Sequence, residues 1–251
     1  MKRSLALSFV AVSFVCVGCG IEDPSVGVDG AAASGDAIVG GSSYSGLPAI
    51  GALIINVQGG QELCTATLIS PTKVLTAGHC SQDVVAADAF FIIGADVNKP
   101  DYTLKVASIE AHPSFSMSTL KNDIGLVTLA EPAPASVTPL PVLASMSASY
   151  VGKSLFFVGY GVDNGTSQTG AGVKRAVSMA ISKVSATQFA YSTKGKNTCN
   201  GDSGGPALVK SGGKYFVAGV TSYGDQTCVQ YGVDTRADMY QSFLGVVGVN
   251  P

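Results

Sequence analysis

The sequence predicts an all-β protein built from two β-domains and one helix. Short runs of β-branched and aromatic residues recur along the chain, and turn residues separate them. Gly accounts for 31 of the 251 residues, and regular alternation of strand and helix patterns is missing. Hydrophobic residues make up 46% and charged residues 13%, a balance typical of a packed globular protein. The length suits one large domain or two small barrels that share a core.

The strand-like runs form two groups with a proline-rich segment between them. The first group lies within residues 38–130, the expected N-terminal barrel. Residues 131–141 contain four prolines, which cannot join a central ladder, so we interpret them as a surface linker. Residues 142–251 hold the second group. Within them, residues 236–247 carry apolar side chains at helical spacing, which predicts a C-terminal α-helix. A cleft between the two domains is the natural site.

The first 37 residues differ from the rest. A basic start, a short apolar run and small residues at its end predict a secretory signal over residues 1–19. An uncleaved anchor is the alternative. Cys19 lies where bacterial lipoproteins carry an acylated cysteine, so it is a lipidation candidate, although Cys16 stands where that motif usually has Leu. Residues 20–37 are small and turn-rich, typical of a pro-segment or tether. We expect an exported protein, either secreted or lipid-anchored as a precursor at a bacterial membrane.

The stretch GDSGG around Ser203 fits G-x-S-x-G, which two unrelated hydrolase folds share. An α/β-hydrolase places its histidine after the serine. Here His79 and His112 both precede Ser203, so that fold cannot supply the base. The remaining order of candidate residues is His79, Asp123, Ser203, which is the order of the chymotrypsin family.

Six motifs occur in the order found in that family. They are IVGG at 38–41, LTAGHC at 75–80, AHPSFSMSTLKNDIGLVTL at 111–129, GYG at 159–161, CNGDSGGP at 199–206 and GVTSYG at 219–224. Over residues 38–248 the chain therefore resembles the trypsin-like serine proteases of chymotrypsin fold. The resemblance implies two six-stranded antiparallel β-barrels, a C-terminal helix, and a triad in the cleft between the barrels.

The resemblance also implies a role for each site residue. His79 would act as the general base, since histidine titrates near neutral pH, and Asp123 would hold its tautomer. Ser203 would attack the substrate carbonyl. The backbone N–H groups of Gly201 and Ser203 would form the oxyanion hole. The predicted function is a serine endopeptidase that works through an acyl-enzyme.

Four cysteines follow the leader, and by themselves they allow three pairings. Because an exported chain meets oxidising conditions, two disulfides are favoured over a metal site. By similarity to the family, Cys64 pairs with Cys80, and Cys199 with Cys228. We expect no metal and no cofactor, since the chain has only two histidines and no Cys-x-x-Cys pair beyond the leader. His112 lies in a stretch that is a surface turn in the family, so we interpret it as structural.

The motif IVGG suggests activation by cleavage. In the family, a cut before the Ile frees an α-amino group that pairs with the Asp preceding the catalytic serine. The corresponding pair here is Ile38 and Asp202. Because Ala37 is not Arg or Lys, the activator must accept Ala, or the enzyme cuts itself. The alternative is that IVGG is only a strand start.

By similarity, the primary specificity pocket receives the P1 side chain, which precedes the bond to be cut. The residues expected to bind the substrate are Asn197, Thr198, Ser222, Tyr223, Gly224 and Gly232. Asn197 is neutral where trypsin-like cleavage after Arg or Lys needs Asp, and burying a cation without a counter-charge is costly. We therefore predict a neutral P1 residue, such as Leu, Met, Phe, Tyr or Gln. Asp225 at the rim offers the alternative of attracting a cation.

The expected partners are a peptide or protein substrate, an activating protease unless the enzyme cleaves itself, and protein inhibitors. The net charge of −2 gives no basic field for nucleic acid, so no such partner is expected. The membrane enters only through a lipid anchor on the leader, and we expect a monomer. Two alternatives stay open: a catalytically inactive, protease-like binding protein, and an exported esterase on the same fold.

Overall fold

The structure is a computed structural model, and it describes residues 38–251. Thirteen strands dominate this part of the chain. Their bounds are β1 Ser42–Ser43, β2 Ile50–Val57, β3 Gly60–Leu68, β4 Lys73–Thr76, β5 Ala89–Ile93, β6 Tyr102–Ala111, β7 Gly125–Leu129, β8 Ser154–Gly159, β9 Arg175–Val184, β10 Gln188–Tyr191, β11 Pro206–Ser211, β12 Lys214–Gly224 and β13 Gly232–Arg236. Two further 3₁₀ turns span Ala86–Asp88 and Ala148–Tyr150. The prediction of an all-β fold is confirmed.

The first barrel closes in the order β2–β3–β4–β7–β6–β5, with β5 pairing back to β2. Every pair in it is antiparallel. Leu53, Leu75, Phe91 and Val127 fill its interior and are fully buried. Closure removes the open edges that short strands would otherwise expose.

The second barrel has the order β8–β9–β10–β13–β12–β11 and closes through the pairing of β8 with β11. Strand β1 adds to its outside by pairing with β9. Phe157, Met179, Phe189 and Tyr191 form the centre of its core. Two closed six-stranded antiparallel barrels therefore confirm the fold that the family resemblance implies.

The two barrels are joined by the linker and by one tyrosine. The linker crosses the surface without strands, and Leu140 N–H donates to Leu68 O of the first barrel over 2.9 Å. Val217 N–H of the second barrel donates to Pro141 O over 2.8 Å. Tyr160 is fully buried, and its hydroxyl donates to Gly94 O at 2.5 Å. The barrels are thus held in one arrangement by buried hydrogen bonds.

The C-terminal helix is shorter than the predicted range of residues 236–247. A 3₁₀ turn over Ala237–Tyr240 leads into α1 at Gln241–Leu244, the single α-helix of residues 38–251. Gly245 ends it with φ of 59°, a left-handed conformation that favours glycine. Lys73 Nζ donates to the free carbonyls of Leu244 and Gly245 at 3.0 and 3.1 Å. Within residues 38–251, no helix has the length and apolar character needed to cross a membrane.

Candidate active site

The partly buried His79 and the buried Asp123 form a pair in the first barrel. Asp123 is fully buried, and His79 Nδ1 lies 2.8 Å from its Oδ2. The backbone N–H of His79 also donates to Asp123 Oδ1 at 2.8 Å. Ser222 of β12 adds a third donor, since its hydroxyl lies 2.5 Å from Asp123 Oδ2. Three donors orient the carboxylate, which in turn orients the imidazole.

Ser203 lines a cavity of about 270 Å³. The other lining residues are Thr198, Cys199, Asn200, Thr221, Ser222, Tyr223, Gly224, Asp225, Gln226 and Cys228. Ser222 therefore belongs to the cavity wall and also contacts Asp123. Through Ser222, the His79–Asp123 pair lies beside the cavity that holds Ser203. Within residues 38–251, the hydrogen bonds of His79 go to Asp123, and none goes to Ser203.

The segment that carries Ser203 is fixed by the first barrel. Thr65 N–H donates to Ser203 O at 2.8 Å, and the Thr65 hydroxyl donates to Gly201 O at 2.8 Å. Gly201 has φ of 92°, and a Cβ there would lie 2.8 Å from Gly161 Cα. Both the backbone conformation and the space require glycine. These two bonds fix the backbone carbonyls of Gly201 and Ser203 to Thr65 of β3.

Asp202 is buried on the other side of this segment. Its Oδ1 accepts from Gly161 N–H and its Oδ2 from Cys199 N–H, both at 2.8 Å. Burial raises the pKa of Asp202 to about 7, while the two backbone donors and the Arg175 charge oppose that rise. Burial therefore disfavours the ionised form of Asp202 until a further cation lies beside it.

Ile38 is also buried in the second barrel. Its side chain belongs to the same core cluster as Phe157 and Tyr191. The next residue, Val39, forms a bridge with Asn197, whose N–H donates to Val39 O at 3.0 Å. The ion pairs of residues 38–251 do not include Ile38 and Asp202. In the intact chain Ile38 carries a peptide bond rather than a free amine, so that pair requires cleavage.

Asn197 points into the protein rather than into the cavity. It is 1% exposed, and its Nδ2 donates to Tyr231 O at 2.9 Å and to Asp225 Oδ1 at 3.3 Å. Its Oδ1 accepts from Thr198 N–H at 3.0 Å. Neither Asn197 nor Gly232 lines the cavity beside Ser203. Of the expected substrate-binding residues, Thr198, Ser222, Tyr223 and Gly224 do line it.

Asp225 organises the loop that forms one wall of the cavity. Its Oδ1 accepts from Gln230 N–H at 2.7 Å and Tyr231 N–H at 3.1 Å, and Val229 N–H bonds both oxygens. Desolvation raises the pKa of Asp225, but these backbone bonds outweigh it and hold the pKa well below the usual range. The carboxylate is occupied by its own loop, which opposes the alternative of a cation bound at the rim.

Two disulfides brace the site, as the resemblance implied. Cys64 pairs with Cys80 beside His79, and Cys199 pairs with Cys228 across the cavity. His79, Cys64 and Cys80 carry ligand-type atoms within 4.8 Å of one another. Because the two sulfurs are bonded to each other, that group offers a metal only the imidazole.

Two buried residues near the cavity, Tyr191 and Asp234, were not predicted from the sequence. Tyr191 and Asp234 are fully buried, and the Tyr191 hydroxyl lies 2.6 Å from Thr198 Oγ1. The available signal was an acidic residue inside the strand-like run YGVDTR, where an apolar residue is expected.

The trypsin family matches residues 38–244 of the chain. The protein therefore belongs to the trypsin family of serine proteases. It is 28% identical over 235 residues to a protein named inactive CLIP domain-containing serine protease A3 from Aedes aegypti. That similarity covers 82% of this chain and 48% of the relative. It is 26% identical over 210 residues to vitamin K-dependent protein C from Oryctolagus cuniculus, covering 72% of this chain and 45% of that protein. The chain thus spans about half the length of these curated relatives.

Proposed function

We propose that the protein is a serine endopeptidase in which His79, Asp123 and Ser203 form the catalytic triad. The observation that carries this proposal is the His79–Asp123 pair, held by three donors, beside the cavity lined by Ser203. His79 takes the Ser203 proton as Ser203 Oγ attacks the carbonyl, and returns it to the leaving amine. The resulting acyl-enzyme is then hydrolysed by water.

Gly201 and Ser203 supply the oxyanion hole in this proposal. The N–H of Gly201 shares its peptide plane with the Asn200 carbonyl, which accepts from Val162 N–H at 2.9 Å. The N–H of Ser203 shares its plane with the Asp202 carbonyl, which accepts from Gly205 N–H at 2.8 Å. Such preorganised donors are worth about 3 kcal/mol each in the transition state. No metal or cofactor is part of the proposed chemistry.

The proposed active form begins at Ile38. Ile38 has φ of 45°, which a β-branched residue rarely adopts, and its side chain already occupies the core. Cleavage after Ala37 would free an amine close to the segment that carries Asp202. That cation would offset the burial that raises the pKa of Asp202. N-terminal sequencing of the active enzyme tests this step, and a start other than Ile38 contradicts it.

The proposed P1 residue is neutral. The only carboxylate among the residues that line the cavity is Asp225, which is occupied by four donors of its own loop. A buried Arg or Lys would therefore lack a free counter-charge. A peptide panel that varies only P1 tests the preference, and strong cleavage after Arg contradicts it.

The proposed cellular route rests on residues 1–37, which lie outside the described residues. The signal over residues 1–19 would export the chain, and Cys19 would tether the precursor if it is lipidated. Cleavage before Ile38 would then release a soluble, monomeric protease that is open to protein inhibitors. Active enzyme that remains bound to the membrane contradicts this route.

A second candidate is a catalytically inactive binding protein, because one relative carries the word inactive in its name. An esterase on the same fold is the third. A fluorophosphonate probe distinguishes the first two, because it labels only an activated serine. We expect labelling of Ser203 in the cleaved protein and none in the Ser203→Ala variant. Labelling without cleavage of any peptide or protein would favour the esterase.

A further inference from the structure

A buried carboxyl with no use in the proposed mechanism lies in the second barrel. Asp234 of β13 is fully buried, and neither of its oxygens has a hydrogen-bond partner within residues 38–251. Its cross-strand neighbours are Phe189 on β10 and Thr221 on β12. Leaving such a group unpaired in a core is costly, so its presence calls for a reason.

Two hydroxyl groups connect Asp234 with the cavity beside Ser203. Thr221 on β12 is the direct cross-strand neighbour of Asp234, and Tyr191 on β10 lies opposite Gly232, two residues before Asp234 on β13. Thr221 lines the cavity directly. Tyr191 does not, but its hydroxyl lies 2.6 Å from Oγ1 of Thr198, which does. Asp234 therefore lies behind two hydroxyl groups of the cavity wall. It neighbours Thr221 directly and Thr198 through Tyr191.

The position of Tyr191 depends on one glycine. Tyr191 pairs with Gly232 across the strands. A Cβ on Gly232 would clash with the ring and the hydroxyl of Tyr191. Only glycine leaves room for the ring, which therefore lies directly over β13. Gly232 thus contributes to the cavity by admitting Tyr191 rather than by lining the wall itself.

Burial raises the pKa of Asp234 well above its usual value, while the Tyr191 and Thr221 hydroxyls lower it. The titratable group that faces Asp234 is Tyr191 from β10, and β12 contributes the uncharged Thr221. Burial thus opposes the charged form of Asp234 that would attract Arg or Lys. The carboxyl lies beside Thr221 and, through Tyr191, behind the Thr198 hydroxyl.

The chemistry of the two threonines selects the ligand. Each hydroxyl has one proton to donate and two lone pairs to accept with. When a P1 side chain expels water from the cavity, the Thr221 hydroxyl needs a new partner, and the Thr198 hydroxyl keeps only its contact with Tyr191. An apolar side chain leaves the remaining hydrogen-bonding capacity of both hydroxyls unused, which is unfavourable in a buried site. A carboxamide offers both an acceptor oxygen and donor N–H groups, so it can satisfy both hydroxyls at once.

We propose that Thr198 and Thr221, supported by Asp234 and Tyr191, select a P1 residue whose side chain ends in a carboxamide. The P1 position has meaning only if the proposed peptidase activity holds. Thr198 and Thr221 touch the substrate, whereas Asp234 and Tyr191 are positioning residues. The substrates are then cleaved after Gln or Asn in preference to the similarly shaped Met or Leu.

Peptides that differ only at P1 test the proposal with the cleaved, active enzyme. Gln is compared with Met, and Asn with Leu, as the ratio of kcat/KM within each pair. For the wild type we expect at least one of these ratios to exceed about tenfold. Thr198→Val and Thr221→Val should each lower that ratio several-fold.

Matched variants separate specificity from general damage to the fold. Thr235→Val is the control, because Thr235 is a buried threonine of the same strand as Asp234 that does not line the cavity. It should leave the ratio unchanged. Asp234→Asn keeps a hydrogen-bonding group and should preserve the ratio, whereas Asp234→Leu and Tyr191→Phe should lower it. A change in stability alone would not shift the ratio.

The carboxamide preference can be absent even if the protein is the proposed peptidase. Wild-type ratios near or below one, or ratios that Thr198→Val and Thr221→Val leave unchanged, overturn it even if peptides are cleaved well. If no peptide is cleaved, binding to the Ser203→Ala variant decides instead. Product peptides that end in Gln or Asn should then bind more tightly than those that end in Met or Leu, and equal affinities contradict the proposal.

Discussion

Three buried aspartates of this protein have very different surroundings. Asp123 receives three hydrogen bonds, two of them from His79. Asp202 receives two, both from backbone N–H groups. Asp234 receives none from the part of the chain that the structure describes. The difference teaches that burial alone does not define the role of a carboxyl, because the number and type of its donors decide which protonation state the fold supports.

The largest expected effect concerns Asp123. Asp123→Asn replaces the acceptor of His79 with an amide and favours the wrong imidazole tautomer. We expect kcat to fall by about 10³–10⁴-fold with little change in the fold. Steady-state kinetics on a cleaved peptide measure this effect. Asp234→Asn is the matched control and should change kcat less than about threefold; similar losses in both variants would remove the distinction between the two aspartates.

The free energy of unfolding of the uncleaved precursor should depend on pH because of Asp202. Its pKa of about 7 in the fold exceeds the value of about 3.9 expected when unfolded. Between these values the folded state holds the extra proton, so stability should fall as pH rises from about 4 to about 7. The loss should be on the order of a few kcal/mol.

Urea denaturation at several pH values measures this slope, with Ser203→Ala in every protein to prevent self-cleavage. Asp202→Asn should lack the contribution, so the difference in the free energy of unfolding between parent and variant should shrink toward neutral pH. Asp234 contributes in the same direction to both proteins, so it cancels in the difference. A difference that is constant with pH would contradict the raised pKa of Asp202.

Asp234 should behave in the opposite way to Asp202 when it is made apolar. Because its oxygens have no hydrogen-bond partner among residues 38–251, Asp234→Leu removes a buried group that is unpaired there. We expect the free energy of unfolding to stay equal or to rise by about 1–2 kcal/mol at pH 8. Asp202→Leu should instead destabilise, since it leaves the N–H groups of Gly161 and Cys199 unpaired. Equal destabilisation by both changes would mean that Asp234 has stabilising partners.

The smallest effect is expected at Ser222. Ser222→Ala removes one of the three donors to Asp123 but leaves both bonds from His79. We expect kcat to fall about three- to tenfold, because one hydrogen bond to a charged group is lost while the pair survives. Kinetics on the same peptide measure it. A loss as large as that of Asp123→Asn would show that Ser222, rather than the backbone of His79, holds the carboxylate in position.

Much of the fold was open to prediction because its signals are local. Runs such as AIGALIINV gave β2 within one residue, and the prolines of residues 131–141 marked the strand-free linker. The helix was overestimated, because apolar spacing continued past Gly245 while the left-handed conformation there ended the helix. Val247, included by spacing, is 87% exposed.

The site was predictable in its residue types but not in the directions of its side chains. His79, Asp123 and Ser203 follow from motif order, and the two disulfides agree with the resemblance. Asn197 has the residue type expected of a pocket base, yet its amide is bound by the loop around Asp225. The orientation of the Asn197 amide depends on the conformation of residues 225–231, which no local sequence pattern predicts.

By itself, the sequence determined the two β-domains, the chain order of the proposed triad residues and the absence of an acidic residue at position 197. These depend on periodicity and on which side chains are present. Only the tertiary structure decided which groups face the cavity beside Ser203. The register of β10, β12 and β13 brings Tyr191, Thr221 and Asp234 together, because cross-strand neighbours share a face of the sheet. β12 and β13 are consecutive strands, whereas β11 and β12 separate β10 from β13 in the chain, so Tyr191 joins the other two residues only when β10 pairs with β13.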